Sequence, residues 1–276
     1  MALIDNLISY YKLDESSGDA LDAHASNDGT VTGATQNVSG QINTAYDFDG
    51  INDVITFSSV YGIGTTSFSI SLWVNITNTA QNGGFIKIGD NNNVGTNNDG
   101  IAIGVGTTFM DGTDYGNNLI ILFEGVRWIP TSTAIGTGWH HIAVTVDSSG
   151  VPSAYLDGSF IASYSGTSMI TPTLNSFIGG FYTRSYEGKI DEVAIFDADI
   201  GSTEVSNLYN SGDGWAYPEE VAGGDGFGGA SRIGDKELKT DWDARTAADS
   251  SKAPGYNMAL IPQESLIPDR KRVGLD

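Results

Sequence analysis

Few side chains in this 276-residue chain combine the type and the spacing that chemistry requires. The absence of cysteine excludes thiolate nucleophiles, thiolate metal sites and disulfides. His140 and His141 are neighbours in a run that alternates like a β-strand, so their rings point to opposite faces and cannot hold one metal ion together. The chain also has no Gly-x-Ser-x-Gly elbow and no Ser/His/Asp order. We therefore expect structural roles for both histidines and no serine catalysis.

Carboxylates are the other candidates for catalysis. A retaining glycosidase needs two carboxyl groups roughly 5 Å apart across the sugar, and one strand provides them only at alternating positions. No run of this kind exists in the sequence. Regular alternation places Asp191 on one face with Val193 and places Glu192 on the opposite face with Ile190. Their neighbours are apolar, so an ionised carboxylate there would need a cation or hydrogen-bond donors. We therefore predict that the protein is not an enzyme.

The elements that position these side chains are short apolar runs that alternate with polar residues, as half-buried strands do. In the clearest run, Ile70, Leu72 and Val74 share the face expected in the core, and Trp73 lies on the other face with Ser71. Trp73 is therefore expected either under another layer or on a binding surface. The predicted strands are Ile8–Leu13, Val54–Phe57, Ser67–Ile76, Phe85–Ile88, Ile101–Val105, Leu119–Phe123, His140–Val146, Ala154–Leu156, Phe160–Ser163, Phe177–Ile178 and Lys189–Phe196.

Turn and helix signals complete the outline of an all-β fold. Asp157-Gly158 between two strands indicates a hairpin. A short helix is predicted over Ser202–Asn210, with Ser202 as its cap and Glu204 in its first turn. Many strands with turns between them indicate a two-layer sandwich or a barrel.

Charge is distributed unevenly along the chain, whose formal net charge is −21. Residues 1–230 hold five basic and 26 acidic side chains, whereas residues 231–276 hold eight of each. Residues 1–230 therefore carry the whole excess of negative charge. An excess of this size repels nucleic acids and anionic membranes. Neutral sugars, cations and basic protein surfaces remain as partners.

The two ends of the chain differ in composition from its body. The start has neither the basic nor the apolar segment of a signal peptide, and no apolar run approaches about 18 residues, so we predict no leader and no membrane span. We expect a body over residues 1–218, a glycine-rich linker over 219–230 and an extended arm over 231–276. The arm has too few apolar residues for its own core, so we predict that it anchors the body in a larger assembly. A merely tethered tail is the alternative.

Eight segments between about residues 5 and 215 resemble, in the same order, the motifs of laminin-G-like domains of the concanavalin A-like lectin/glucanase kind. Trp139-His140-His141-Ile142-Ala143-Val144-Thr145-Val146 and Ala154-Tyr155-Leu156-Asp157-Gly158 carry two of these motifs. The remaining segments are Tyr11–Glu15, Asn27–Thr30, Phe48–Gly50, Phe68–Val74, Gly188–Phe196 and Glu204–Tyr209. The ordered set makes the resemblance specific for residues 5–215, and the arm does not share it.

The resemblance implies an antiparallel two-sheet jelly-roll sandwich. Members of this family commonly bind carbohydrate or protein, and some carry calcium. Some proteins with the wider fold are glycoside hydrolases or polysaccharide lyases. Fold alone therefore does not determine the ligand.

One structural calcium ion is a further expectation from the resemblance. In the family pattern, the opening loop and the strand that contains Asp191 lie near one another, and calcium takes six to eight oxygen ligands. The predicted ligands are Asp22, Asn27, the Gly29 backbone, Asp49 and Asp191. The alternative is that Asp22 and Asp49 only cap turns. A melting temperature that does not respond to added calcium would contradict the site.

Carbohydrate contacts are expected from aromatic rings, which stack on sugar rings, and from amide or charged groups, which bond to hydroxyls. Two long loops, Gly89–Gly100 and Thr107–Asn118, are candidates because long loops without regular structure often serve function. Arg127 and Arg184, which neighbour the aromatic candidates, would suit an acidic sugar. Burial of Trp128 and turn roles for the asparagines are the alternatives. The predicted contact residues are Asn92, Phe109, Tyr115, Trp128, Tyr182, Arg184 and Tyr186.

Together these observations predict a non-catalytic, lectin-like recognition or decoration module attached through its C-terminal arm. The absence of a leader, the absence of cysteine and the arm favour a virion structural protein, such as a capsid decoration or fibre component of a phage. The alternatives are a purely structural sandwich without a sugar ligand and, third, a glycan-cleaving enzyme. Binding to no glycan, together with stoichiometric incorporation into a particle, would favour the structural alternative.

Overall fold

A computed structural model describes residues 3–58, 61–63, 66–81, 83–89, 100–106, 115–123, 127–164, 175–181 and 184–218. The chain divides into two units, Met1–Tyr217 and Pro218–Asp276. The predicted linker at 219–230 and the predicted arm at 231–276 lie outside the described residues. The helices in the described part of the chain are too short or too polar to cross a membrane.

Strands dominate the first unit, as the short alternating runs predict. A 3-10 helix at Leu3–Asn6 precedes them, and the helix α1 (Gly201–Tyr209) and a 3-10 turn at Asn210–Gly212 follow them. The strands are β1 (Leu7–Tyr11), β2 (Thr30–Thr32), β3 (Thr35–Ser39), β4 (Thr44–Asp49), β5 (Val54–Phe57), β6 (Phe68–Ile76), β7 (Gly83–Ile88), β8 (Ile101–Val105), β9 (Asn118–Phe123), β10 (Arg127–Ala134), β11 (Gly138–Val146), β12 (Pro152–Leu156), β13 (Ser159–Ser163), β14 (Ser176–Ile178), β15 (Gly180–Phe181), β16 (Arg184–Ser185) and β17 (Glu187–Phe196).

Two antiparallel sheets contain almost all of these strands. The first sheet has the order β13-β12-β11-β6-β17-β4-β3, and β1 pairs with the C-terminal half of β17. The second sheet has the order β10-β9-β8-β7-β14-β5-β2, and β15 and β16 form a separate hairpin. The structure therefore confirms the predicted antiparallel jelly-roll sandwich with one short helix.

The strands at the two ends of this order, β3 and β13, are both irregular. On β3, three steps from Thr35 to Val38 match two steps on β4, and Asn37 between them has a φ of 59°. On β13, two steps from Ala162 to Phe160 match one step on β12. Each edge therefore contains a β-bulge, which bends the strand and interrupts its row of main-chain groups.

The core lies between the two sheets, on the face of β6 and β11 that the alternation predicts. Ile70, Leu72, Ile142 and Val144 are each completely buried there. The opposite face of β6 is covered as well, since Trp73 is only 3% exposed. Of the two roles expected for Trp73, the structure shows burial under another layer.

The helix occupies nearly the predicted range, but its first turn differs from the prediction. Ile200 is the N-cap residue and makes no side-chain cap bond, so Ser202 is not the cap. The Asp199 carboxylate accepts the N–H of Gly201 at 3.0 Å instead. Val205 and Leu208 are buried and fix the helix on the outer face of the first sheet.

The position of Leu72 in the core predicts a large loss of stability on truncation. Leu72→Ala removes a fully buried side chain, and we expect the free energy of unfolding to fall by about 2–5 kcal/mol. Leu21→Ala is the matched control, since Leu21 is 50% exposed and surface changes stay within about 0.5 kcal/mol. Urea denaturation measures both, and equal losses would contradict the assignment of the core.

Candidate functional site

A β-bulge in β17 determines where two acidic side chains point. Asp191 lies opposite Trp73 of β6 and Ala194 lies opposite Ser71, so three steps on β17 match two on β6. Glu192 has a φ of 50°, in the left-handed region. The extra residue shifts the alternation by one position, so that Val193 packs in the core between the sheets.

Asp191 and Glu192 therefore lie on the same face of the first sheet. The prediction from strict alternation, which placed them on opposite faces, is wrong because the bulge interrupts the period of two. Both carboxylates point away from the core. Asp191 Oδ2 accepts the N–H groups of Gln41 at 2.9 Å and Ile42 at 3.0 Å, and Glu192 accepts the hydroxyl of Tyr10.

Both acidic side chains are almost completely removed from water. Asp191 is 0% exposed and Glu192 is 5% exposed. Burial, reinforced by the charge of Glu192, raises the pKa of Asp191 to about 9. Burial also raises the pKa of Glu192 to about 8, although the Tyr10 hydrogen bond acts in the opposite direction. The pair therefore retains protons at neutral pH.

A small cavity lies over this outer face of the first sheet. Its volume is about 10 Å³, which is room for about one water molecule. His141 Nε2 lies 2.8 Å from Ser71 Oγ, and burial lowers the pKa of the His141 imidazole to about 4, so the ring is neutral. Its Nδ1 is buried without a hydrogen-bond partner among the described residues. The cavity is lined by Tyr10, Ser71, Trp73, His141, Glu192, Ala194, Leu208 and Trp215.

Aromatic side chains close the cavity from outside. Trp73 stacks on Tyr209 of α1 with ring centroids 5.7 Å apart. Tyr10 packs edge-on against Trp215, with ring centroids 5.6 Å apart, and at a tilt of 33° against Tyr217, with centroids 4.9 Å apart. Sequence reasoning missed Tyr10, Trp215 and Tyr217, because their meeting joins the first strand to a segment about 200 positions later. The only signal in the sequence was the closely spaced aromatic pair Trp215 and Tyr217, a few residues after the helix.

The neighbouring histidine, His140, contacts the turn of the predicted hairpin. His140 Nδ1 lies 2.9 Å from Asp157 Oδ2, and Asp157 Oδ1 accepts the N–H of His141 at 2.9 Å. The Asp157 hydrogen bond raises the pKa of His140, and the histidine contacts hold the pKa of Asp157 below its usual value despite burial. Asp157 thereby ties the β12–β13 turn to the middle of β11.

Three of the five predicted calcium ligands meet in the loop after β1. Asp22 Oδ1 accepts the N–H groups of Tyr10 and His24 at 3.0 Å and that of Ala25 at 3.1 Å. Asp22 Oδ2 accepts the N–H of Asn27 at 3.3 Å. Gly29 pairs with Ala20 through two main-chain hydrogen bonds of 2.8 Å. The Asp22 carboxylate therefore caps this loop, as the alternative interpretation states.

The other two predicted ligands lie elsewhere. Asp49 caps its own turn by accepting the N–H of Ile51 at 2.8 Å. Glu187 faces Asp49 across the sheet, so Asp49 lies four strand positions, roughly 13 Å, from Asp191. The described residues contain no group of three His, Cys, Asp or Glu side chains arranged to hold a metal ion. The five residues fit a shared ion poorly, and a calcium ion stays a prediction.

The predicted carbohydrate contacts have different outcomes. Asn92, Phe109 and Tyr182 lie outside the described residues. The backbone of Trp128 pairs with that of Leu122 in the second sheet, and its side chain is not described. Tyr186 is completely buried, and its hydroxyl donates to the Asn75 carbonyl at 2.7 Å. Its expected place on an exposed loop is wrong, because it packs into the core just before β17.

Tyr115 and Arg184 remain, and both are half-buried. Tyr115 precedes the turn into β9. The first residues of β9 pair with the end of β8, and the end of β8 pairs in turn with the start of β7. Arg184 belongs to the β15–β16 hairpin, which contacts β7. Only β8 separates β7 from β9, so the two strands are about 10 Å apart. Both residues therefore lie on one end of the second sheet, which we call the rim.

The raised pKa of Asp191 predicts how stability depends on pH. An acid whose folded pKa lies above its ordinary value of 3.8 stabilises the fold below about pH 4, and this contribution is lost as the pH rises towards 9. Asp191→Asn keeps the shape and removes the titration. We expect the free energy of unfolding to fall more steeply between pH 5 and 9 in the unmodified protein than in Asp191→Asn. The difference between the two slopes should be up to about 1.4 kcal/mol per pH unit.

Chemical denaturation at a series of pH values in the presence of a chelator measures these slopes. Asp19→Asn is the control, because Asp19 is exposed and should leave the slope unchanged. Equal slopes for Asp191→Asn and the unmodified protein would show that Asp191 is ionised in the folded state.

Solved structures share this architecture at low sequence identity. Domain 4 of the extracellular arabinanase AbnA from Geobacillus stearothermophilus, solved with arabinotriose, has a TM-score of 0.57 and 21% identity over 74% of this chain and 98% of that domain. The binding domain of Paraclostridial Mosquitocidal Protein 1 has a TM-score of 0.59 and 20% identity over 76% of this chain and 53% of that one. The Trypanosoma rangeli sialidase has a TM-score of 0.58 and 15% identity over 76% of this chain and 33% of that one.

These likenesses establish the fold alone, since all three identities are low. The chain spans about half of the toxin domain and a third of the sialidase. No curated protein matches the sequence. The family model of the concanavalin A-like lectin/glucanases superfamily matches residues 49–206, which is more than half of the chain, and this confirms the resemblance seen in the motifs. The chain therefore belongs to the concanavalin A-like lectin/glucanases superfamily.

Proposed function

We propose that this protein is a non-catalytic recognition module that binds glycans at the rim of the second sheet. The observation that carries the proposal is the placement of Tyr115 and Arg184 at one end of that sheet. Loops on a rigid scaffold are the usual place for binding residues. The arabinotriose complex of the similar arabinanase domain supports a carbohydrate as the ligand.

The rim is a better binding surface than the middle of the sheet. Lys87, Ala102 and Ile120 alternate with core residues and so lie on the outer face of the second sheet. Their side chains are only 3%, 1% and 0% exposed. Because the middle of this face is buried, a ligand must approach the ends of the strands.

The chemistry of the rim suits an acidic sugar. The Tyr115 ring can stack on the C–H face of a sugar ring, and the Arg184 guanidinium offers a planar fork that matches a carboxylate. Arg184 is one of five basic residues among the first 230. In a body with such an acidic excess, a basic side chain is where an anionic group of a ligand can be held.

The arrangement of the acidic residues supports a non-catalytic role. Glu192 lines the outer cavity, but Asp191 does not, because its carboxylate is held by the N–H groups of the loop before β4. Glycosidic hydrolysis by the common route needs two carboxyl groups that flank the sugar. The cavity has space for one water molecule and offers one such group.

A glycan array probed with the full-length protein tests the proposed site. We expect binding to acidic glycans, and we expect Arg184→Ala and Tyr115→Ala each to weaken it at least tenfold, which is about 1.4 kcal/mol. Phe160→Ala is the control, since Phe160 is a 56% exposed aromatic residue on the first sheet. Glycan binding that survives both rim substitutions, or an array without hits, would overturn the proposal.

We also propose that residues 231–276 attach this module to a larger assembly, such as a phage virion as a decoration or fibre component. The support comes from the sequence. The segment is electrically balanced, unlike the acidic body, and it follows a linker with five glycines between residues 221 and 230. A segment without net charge can lie against an acidic protein surface without the charge repulsion that the acidic body would meet there.

Truncation after Ala222 tests whether the arm drives assembly. We expect the full-length chain to form a defined oligomer and the truncated chain to be monomeric, because only the body remains. Size-exclusion chromatography with light scattering measures both masses. A truncated chain that forms the same oligomer, or a full-length chain that is monomeric, would count against self-assembly through the arm.

A further inference from the structure

The segment Asn210–Tyr217, which we call the strap, follows α1 and completes the cover over the outer cavity of the first sheet. Trp215 lines that cavity. The main-chain N–H groups of Asp213 and Gly214 bond back to Asn210 and Tyr209, both at 3.1 Å. No residue of the strap belongs to a strand. The strap can therefore move without breaking a sheet ladder.

Side chains of the body hold the strap in place. The Tyr10 hydroxyl lies 3.0 Å from the Trp215 carbonyl, and Gln41 Nε2 donates to the Gly212 carbonyl at 2.6 Å. His24 Nδ1 lies 3.1 Å from the hydroxyl of Tyr217. Individual hydrogen bonds of this kind contribute about 1 kcal/mol each. The remaining attachment is the packing of Trp215 and Tyr217 against the cluster that contains Tyr10 and Leu208, so removal of one of these rings should loosen the strap.

The floor beneath the strap has an unsatisfied polar group. His141 is only 1% exposed, its Nδ1 has no partner among the described residues, and its ring lines the cavity. Leaving a buried nitrogen without a partner costs about 1–3 kcal/mol. A ligand hydroxyl in the cavity would satisfy it. Ser71 Oγ and the Glu192 carboxylate line the same cavity.

We propose that the strap covers a second binding pocket, for a neutral, hydroxyl-rich sugar ring, and that the Trp215 side chain takes the place of that ring. The Tyr10 ring, against which Trp215 now packs, would form the stacking platform. His141, Ser71 and Glu192 would bond the hydroxyls. This pocket is on the opposite sheet from the rim and goes beyond the glycan site proposed there.

The neutral character of the ligand follows from the side chains that line the pocket. None of them is a lysine or an arginine, and the His141 imidazole is neutral. The nearby charges of Asp14 and Lys12 act on Glu192 in opposite directions. An anionic sugar would therefore find no cation in this lining with which to pair. A quaternary ammonium ligand would make no use of the hydroxyl of Ser71 or the free nitrogen of His141, whereas a sugar bonds to both.

Removal of the Trp215 ring tests the proposal in the full-length protein. We expect Trp215→Ala to bind neutral gluco-, galacto- and arabino-oligosaccharides at least tenfold more tightly than the unmodified protein, measured on an array and then by calorimetry with the strongest hit. Glu192→Gln added to Trp215→Ala should reverse the gain. Phe160→Ala, the exposed aromatic control, should show no gain.

Two further variants separate this pocket from the rim and from misfolding. Arg184→Ala combined with Trp215→Ala should keep the gain, whereas its loss would assign the effect to the rim. Tyr10→Phe removes the hydroxyl that bonds both the Trp215 carbonyl and the Glu192 carboxylate, so it should raise hydrogen exchange in residues 212–217 and increase sugar binding by a smaller factor than Trp215→Ala. If neither Trp215→Ala nor Tyr10→Phe binds any neutral sugar better than the unmodified protein, the pocket does not exist.

Discussion

The extra residue in β17 is the constraint on which the outer layer of this protein depends. By placing Glu192 in the left-handed region, it turns two consecutive carboxylates to one side of the sheet. Asp191 then binds the loop before β4, and Glu192 binds the hydroxyl of Tyr10. Because α1 and the strap cover the same face, two acidic groups that would ordinarily be hydrated are enclosed. A left-handed conformation at a non-glycine residue costs roughly 1–3 kcal/mol, so the contacts on this face must offset it.

Much of the fold follows from local patterns, and the site does not. Ile70, Leu72, Ile142 and Val144 were predictable because a strand with one buried face repeats every two residues. The bulge carries no such signature, since glutamate is an ordinary residue and its backbone angle is imposed by partners far along the chain. Tyr186 was misplaced for a related reason. Its short segment between turns resembles an exposed loop, but tertiary packing draws the ring into the core.

The scaffold is shared by proteins with different activities, and this limits what architecture can say. An arabinanase domain, about half of a mosquitocidal protein's binding domain and a third of a sialidase all superpose on this sandwich. In such folds, specificity lies in side chains added at the ends and faces of the sheets. Here the two sheets differ in this respect. The second has a polar rim, and the first has an aromatic cover above a neutral imidazole and protonated acids.

The bulges in β3 and β13 have a consequence for the behaviour of the protein at high concentration. An open sheet edge is a template on which another chain can add a strand, and repeated addition produces fibres. The strands at the two ends of the first sheet, β3 and β13, are both kinked, so a strand from a neighbouring copy could not extend either of them as a regular ladder. Fusion through these two strands is therefore disfavoured even where many copies of the domain lie side by side.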